Sequence, residues 1–266
     1  METVAITGGT GHLGRQLVRL LKPTHQVRVL TRHPGTDSEI QWVPGDLATG
    51  SGVEELVAGA SCVVHAATWS PGAQRGYPLP VDFWRSPPDV DVDGTSRLLE
   101  ASTAAGIGHF IYVSIVGVDR PALPYLRLKH TAEELVGVSD VPWSIVRATQ
   151  FHWLLDRMLG RAARLPAVPL PGSLPTQPVD ERDFADHLAT CVIEGPAGRR
   201  PDFGGPEVLT LNQAMRTWRE LRGVKARTFT VPAPKRLRRI ASDWTCPNDR
   251  HGKTTWAEWL RNHPAQ

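Results

Sequence analysis

The stretch SIVGVDRPALPYLRLKH, residues 114–130, carries Ser114, Tyr125 and Lys129. Residues four apart share one face of a helix, so a helix here stands the Lys129 ammonium one turn from the Tyr125 phenol. A free phenol titrates near pH 10 and is useful as a donor only where something needs its proton. These residues alone leave two readings open: a proton-donating pair, or an amphipathic helix with a polar start. His152 is a second candidate donor, because imidazole titrates near neutrality. It sits among aromatics, where packing is the commoner role, so it ranks behind Tyr125. His130 follows Lys129 directly and faces elsewhere.

The elements that must position these groups alternate. TVAIT (3–7), QVRVLTR (26–32), QWVPGDL (41–47), SCVVHAAT (61–68), HFIYVSIVG (109–117) and PWSIVRA (142–148) read as strands. HLGRQLVRLLK (12–22), with Leu13, Leu17, Leu20 and Leu21 at helical spacing, VEELVAG (53–59), DVDGTSRLLEASTAAGI (91–107) and YLRLKHTAEELVGVS (125–139) read as helices between them. Strands separated by helices predict βαβ units: an α/β, doubly wound, mainly parallel sheet covered on both faces. Beyond residue 150 the pattern loosens. Residues 163–180 are proline-rich and read as loop or short extended pieces, 181–194 as helix, 205–223 as strand then helix, and 253–262 as a short helix. The expected division is a dinucleotide-binding core over 1–150 and a smaller substrate-binding lobe over 151–266, intertwined with the core.

The first strand runs into TGGTGHLG. Gly8, Gly11 and Gly14 allow a tight turn, backbone approach to a pyrophosphate, and close helix–strand packing; the helix N-terminus faces the anion. Strand before and helix after are the context that turns a bare glycine pattern into a dinucleotide site. Gly8, Thr10, Gly11, His12, Leu13 and Gly14 are the expected contacts. An NAD-selective site needs a carboxylate at the end of the second strand. Here Thr31 and Arg32 stand in that place, with Asp37 and Glu39 beyond a Pro-Gly turn. A guanidinium pairs a 2′-phosphate through two hydrogen bonds, so Arg32 predicts NADP(H) in preference to NAD(H).

Composition narrows the class. The 266 residues are 41% hydrophobic and carry a net charge of +3, too mild to imply nucleic acid or a membrane surface. The three cysteines are scattered, with no metal spacing; free thiols in a reducing, cytoplasmic setting are expected, and no metal site. No basic leader and no long apolar run is present, so neither a signal peptide nor a membrane span is expected. The basic stretch 216–239 reads as a solvated helix face, not a nucleic-acid surface.

Taken in order, TGGTGHLG, GDL (45–47), VVHAAT (63–68), DVDGT (91–95), HFIYVSIVGVD (109–119), YLRLK (125–129), WSIVRATQF (143–151) and QPVDERDFA (177–185) resemble the short-chain dehydrogenase/reductase superfamily in its extended and atypical branch. The likeness is nearest to NmrA-like, epimerase-like NAD(P)H-binding proteins. That resemblance implies a Rossmann-type core. It implies Asp46 and Leu47 beside the adenine, and Ala66 and Ala67, with His65, along the dinucleotide. It also implies Ser114 near the nicotinamide, Tyr125 and Lys129 as the Y-x-x-x-K pair, and residues 147–151 passing that side of the pocket. With a nicotinamide present a proton donor has a task, and the resemblance implies that Ser114 polarises a carbonyl, Tyr125 transfers the proton, and Lys129 lowers the phenol's pKa and binds ribose. The other reading, in which Tyr125 packs or caps and Lys129 binds only ribose, stays open.

The implied activity is NAD(P)H-dependent reduction of a carbonyl, quinone or enone on a hydrophobic or aromatic small molecule, by a monomer or homodimer. The alternatives are a non-enzymatic NADP(H) sensor and a cofactor-assisted epimerase or isomerase. Phe151, His152 and Trp84 are the candidate substrate contacts. Trp84 shares a long loop, 69–88, with Trp69, Tyr77 and Phe83, and the loop carries five prolines.

Overall fold

A computed structural model describes residues 1–69 and 84–264. Tyr77 and Phe83 lie outside the described residues. Two compact units result: residues 1–114, 121–146 and 185–200 form the first, and residues 115–120, 147–184 and 201–266 the second. The chain leaves the first unit and re-enters it, so no single cut at residue 150 separates them. The helix Glu181–Glu194 has its first turn in the second unit and the rest in the first.

The first unit is built on a seven-stranded sheet. In chain order its strands are β1 Thr3–Thr7, β2 Gln26–Thr31, β3 Ile40–Pro44, β4 Cys62–His65, β5 His109–Ile115, β6 Trp143–Ala148 and a two-residue strand Gly198–Arg199. Their spatial order is β3-β2-β1-β4-β5-β6 and then Gly198–Arg199. β1 pairs in parallel with β2 (Thr7 opposite Leu30) and with β4 (Thr7 opposite His65), and β4 pairs in parallel with β5 (His65 opposite Tyr112). Strands with sheet on both sides and helices on both faces are buried throughout, which is why β1 and β4 read as unbroken apolar runs.

Helices α1 His12–Leu21, α2 Val53–Val57, α3 Gly94–Ala104 and α4 Pro124–Gly137 cover the sheet. α1 turns Leu13, Leu17, Val18 and Leu21 inward. Pro124 occupies the first turn of α4, where a missing N–H costs nothing. Residues Asp89–Asp93 differ from the expected helix: they form a π-helical turn that leads into α3. Wide turns of this kind gather at functional sites.

The second unit packs helices His152–Ala162, Leu211–Arg222 and Trp256–Asn262 around Leu155, Leu159, Met215, Trp218, Trp256 and Trp259. Capping boxes start two of them: Thr210 with Gln213, and Thr255 with Glu258. The helices His152–Ala162 and Lys235–Asp243 were not expected from the sequence; both lie in stretches where arginines and prolines blur the apolar period. The proline-rich segment supplies only short strands, Val168–Leu170 and Pro175–Thr176.

Three histidines are buried: His65, His109 and His152. Burial holds them neutral, pushing His65 down to about 3 and His109 and His152 to about 4. Each folded pKa lies below the unfolded value, so between the two the unfolded chain binds more protons and stability rises with pH. The urea midpoint should therefore fall steadily on acidification from about pH 7 to about pH 4.5. A flat midpoint over that range would show that these rings take up protons without unfolding.

Candidate functional site

Strands β1 to β5 pair in parallel and end on the same side. Thr7, His65 and Tyr112 lie side by side across β1, β4 and β5, so Gly8–Gly14, Ala66–Thr68 and Ser114 share one edge. Chain order reverses there: β2 and β3 lie to one side of β1, and β4 to β6 on the other. In open α/β sheets that reversal opens the ligand crevice.

The glycine turn is closed tightly around its own backbone. Gly8 has φ +74°, and a Cβ on it would meet Ala67 N at 2.6 Å and the Ala66 carbonyl carbon at 2.7 Å. A Cβ on Gly14 would stand 2.1 Å from Gly8 O. Gly11 N donates to Gly8 O at 2.9 Å and fixes the curve. Gly11 caps α1 with no side-chain bond, and the first turn of α1 holds no acidic residue, so the helix N-terminus presents its amides and dipole to an anion. Thr10, Gly11 and His12 are exposed at this end; Leu13 is buried. The donor set and the space kept clear of side chains fit a dinucleotide pyrophosphate.

At the end of β2, Arg32 is exposed, 4.0 Å from Asp46. Lys22 binds both nearby carboxylates, Asp37 at 3.0 Å and Glu39 at 2.6 Å. Asp46 accepts from Ala48 N at 3.0 Å and closes a turn, and Leu47 is buried in the core.

At the other end of the crevice lie Ser114, Tyr125 and Lys129. Ser114 is buried and its hydroxyl has no hydrogen-bond partner. Lys129, 3% exposed, donates to Val113 O at 3.0 Å, lies 4.4 Å above the Tyr112 ring, and stands 3.8 Å from the Asp91 carboxylate. Burial lowers its pKa; Asp91 and Glu133 oppose that. The Tyr125 hydroxyl meets Thr68 Oγ1 at 3.1 Å. Burial first, and Asp91 second, push the phenol above its ordinary value. The Lys129 ammonium, expected to lower it, stands opposite the buried Asp91 carboxylate.

His65 is a structural member of this edge. Thr95 Oγ1 gives its proton to Asp91 O at 2.7 Å, so it accepts from His65 Nε2 at 2.9 Å, and His65 Nδ1 accepts from Thr7 Oγ1 at 2.7 Å. The neutral ring ties the glycine turn to the Asp89–Asp93 turn.

Thr68 and Asp91 are the two residues that sequence reasoning missed. The available signal was a carboxylate, Asp91, at the head of a helix otherwise facing the core.

The surroundings of the remaining expected residues differ. Trp84 is 61% exposed. Phe151 is half-buried against Phe184, with centroids 6.0 Å apart. His152 is fully buried, 5.5 Å from Trp256 and 5.7 Å from Trp259, and both ring nitrogens lack partners. It packs within the second unit, and burial holds its ring neutral. Arg147 holds Asp119 with two bonds, Nη2 donating at 2.8 Å, as a structural ion pair. The three cysteines are free and buried.

Comparison with known proteins meets this geometry. A family model described as NAD(P)H-binding matches residues 8–192. The chain belongs to the NAD(P)H-binding family. It is 33% identical over 251 residues to a ceramide reductase of Caulobacter vibrioides (strain NA1000 / CB15N), covering 87% of this chain and 74% of that one. It is 30% identical over 258 residues to the chloroplastic divinyl chlorophyllide a 8-vinyl-reductase of Oryza sativa subsp. indica, covering 86% of this chain but 61% of that one. An NADPH-dependent quinone oxidoreductase from Escherichia coli, complexed with NADPH, has the same fold at TM-score 0.75 and 17% identity, covering 97% and 99% of the two chains. This member of the NAD(P)H-binding family is an NAD(P)H-dependent oxidoreductase. Among the described residues no helix is long and apolar enough to cross a membrane.

Because Gly14 has no room for a side chain, Gly14→Ala should weaken NADPH binding at least about tenfold in a fluorescence titration. Gly137→Ala, where a Cβ would meet nothing within 4 Å, should leave binding unchanged.

Proposed function

We propose that this protein is an NADPH-preferring reductase of a carbonyl or conjugated carbonyl group in a hydrophobic or aromatic small molecule. The observation that carries the reading is the buried Ser114 hydroxyl, unpartnered beside the Val113 carbonyl that holds Lys129. A buried hydroxyl left without a partner costs stability, and a substrate oxygen accepting from it would relieve that cost.

Gly8, Thr10, Gly11, His12 and Gly14 hold the dinucleotide pyrophosphate, Leu13 packs beneath them, and Ala66 and Ala67 line the adjoining backbone. Asp46 and Leu47 form the adenine side. Bound in reduced form, the nicotinamide supplies a hydride. Ser114 donates to the substrate carbonyl oxygen and polarises it. Tyr125 delivers a proton to the oxygen as negative charge develops there. The Lys129 ammonium has three N–H groups; one goes to Val113 O, and another takes a ribose hydroxyl. Arg32 pairs the 2′-phosphate. What supports this preference is that Lys22 engages Asp37 and Glu39, the carboxylates next along the chain, away from a ribose 2′-hydroxyl. The exposed Trp84 and the lipid-like substrate in the Caulobacter relative's name support an apolar substrate.

Tyr125→Phe should lower turnover of a reducible carbonyl substrate about a hundredfold or more, read as NADPH consumption against a panel of quinones and aromatic ketones. Unchanged turnover would remove Tyr125 as the acid. Arg32→Ala should weaken NADPH binding about tenfold and NADH binding little; equal losses for both would remove Arg32 as selector.

A further inference from the structure

We propose that Asp91, acting through Thr68, is a positioning residue that holds Tyr125 as a neutral hydrogen-bond donor while anchoring Lys129. This rests on the catalytic reading of Tyr125 given above.

Asp91 is 1% exposed and projects from the π-helical turn Asp89–Asp93. Its Oδ1 accepts from Thr68 Oγ1 at 2.6 Å and its Oδ2 from Trp69 N at 2.9 Å; Lys129 Nζ stands 3.8 Å from Oδ1. A threonine hydroxyl has a single proton, and a carboxylate can only accept. The Thr68 proton is therefore committed to Asp91, and what Thr68 turns toward Tyr125, 3.1 Å away, is a lone pair. The phenol must donate. A phenolate would face that lone pair and, behind it, a carboxylate. If Thr68 were the donor instead, its bond would favour the phenolate; the short bond to Asp91 removes that option.

Among the described residues, the other titratable groups around the pair do not supply the same bias. Tyr112, from β5, lies under Lys129 and is neutral, its pKa raised by burial. His65, from β4, is neutral by burial. Glu133, on the same helix as Tyr125, acts on Lys129 and Tyr112. Among the described residues, Asp91 is joined to the phenol through Thr68 by hydrogen bonds. An asparagine at position 91 would offer N–H groups to Thr68 Oγ1, free the Thr68 proton to turn toward Tyr125, and reverse the bias.

The test reads tyrosinate absorbance against pH in the full-length protein, with Tyr125→Phe identifying the Tyr125 component. In Asp91→Asn, Tyr125 should ionise at least about one pH unit lower than in the parent protein, and the alkaline limb of kcat/KM should move down with it. Thr68→Val, which removes the phenol's acceptor but leaves Asp91 opposite Lys129, should move the titration in the same direction, and Thr68→Ser should restore it. A Tyr125 titration unchanged in folded Asp91→Asn overturns the proposal. Should Asp91→Asn not fold, an unchanged titration in Thr68→Val does so. Full turnover in Tyr125→Phe would instead end the catalytic reading and leave the titration result standing.

Discussion

A side chain that is absent lets the crevice form. The backbone of Ala66 and Ala67 runs where a Cβ of Gly8 would be, and Gly8 O lies where a Cβ of Gly14 would be. β1, the turn, α1 and the end of β4 can only reach this spacing through glycines, one of them at positive φ. Once they do, the N-terminus of α1 and the ends of β4 and β5 are brought to the same edge of the sheet. Every later feature of the site, from the exposed Arg32 to the buried Ser114, is placed by reference to that edge.

The opposite end of the crevice is governed by buried charge. An ammonium as enclosed as Lys129 is costly unless paired and hydrogen-bonded, and Asp91 and the Val113 carbonyl meet that need. The pairing has an electrostatic consequence. A lysine beside an opposing carboxylate is a weaker influence on a nearby phenol than a lysine alone, and burial and Asp91 push the Tyr125 phenol up. For the proposed role, giving a proton to developing negative charge, a neutral phenol is the useful state. The same turn that carries Asp91 is tied through Thr95 and His65 to Thr7, at the threshold of the glycine turn. The two ends of the crevice thus share one hydrogen-bonded frame.

Much of the first unit was legible in the residues. Its strands and helices fall within a few positions of the alternating pattern, because buried parallel strands and helices with an apolar stripe leave strong local signatures. The second unit was less so: the helix Lys235–Asp243 is rich in arginine and lysine, with only Leu237 and Ile240 as large apolar residues, and leaves no clear apolar stripe in the sequence. His152 shows the same limit from the side of chemistry. Its neighbours in the chain suggest a pocket wall, whereas its contacts, Trp256 and Trp259, arrive from more than a hundred residues away.

By itself the sequence determined the α/β class, the parallel sheet, the glycine turn with its anion-facing helix, and the pairing of Tyr125 with Lys129 on one helical face. These depend on local periodicity and on residue types at short spacing, which the chain carries openly. Only tertiary structure decided that Thr68 and Asp91 meet that pair, that Lys22 engages Asp37 and Glu39, and that His65 is a tether. Each of these rests on residues 15 to 58 positions apart along the chain, and on which hydroxyl has already given its proton away. No local pattern encodes that, because hydrogen-bond direction follows from the completed set of neighbours.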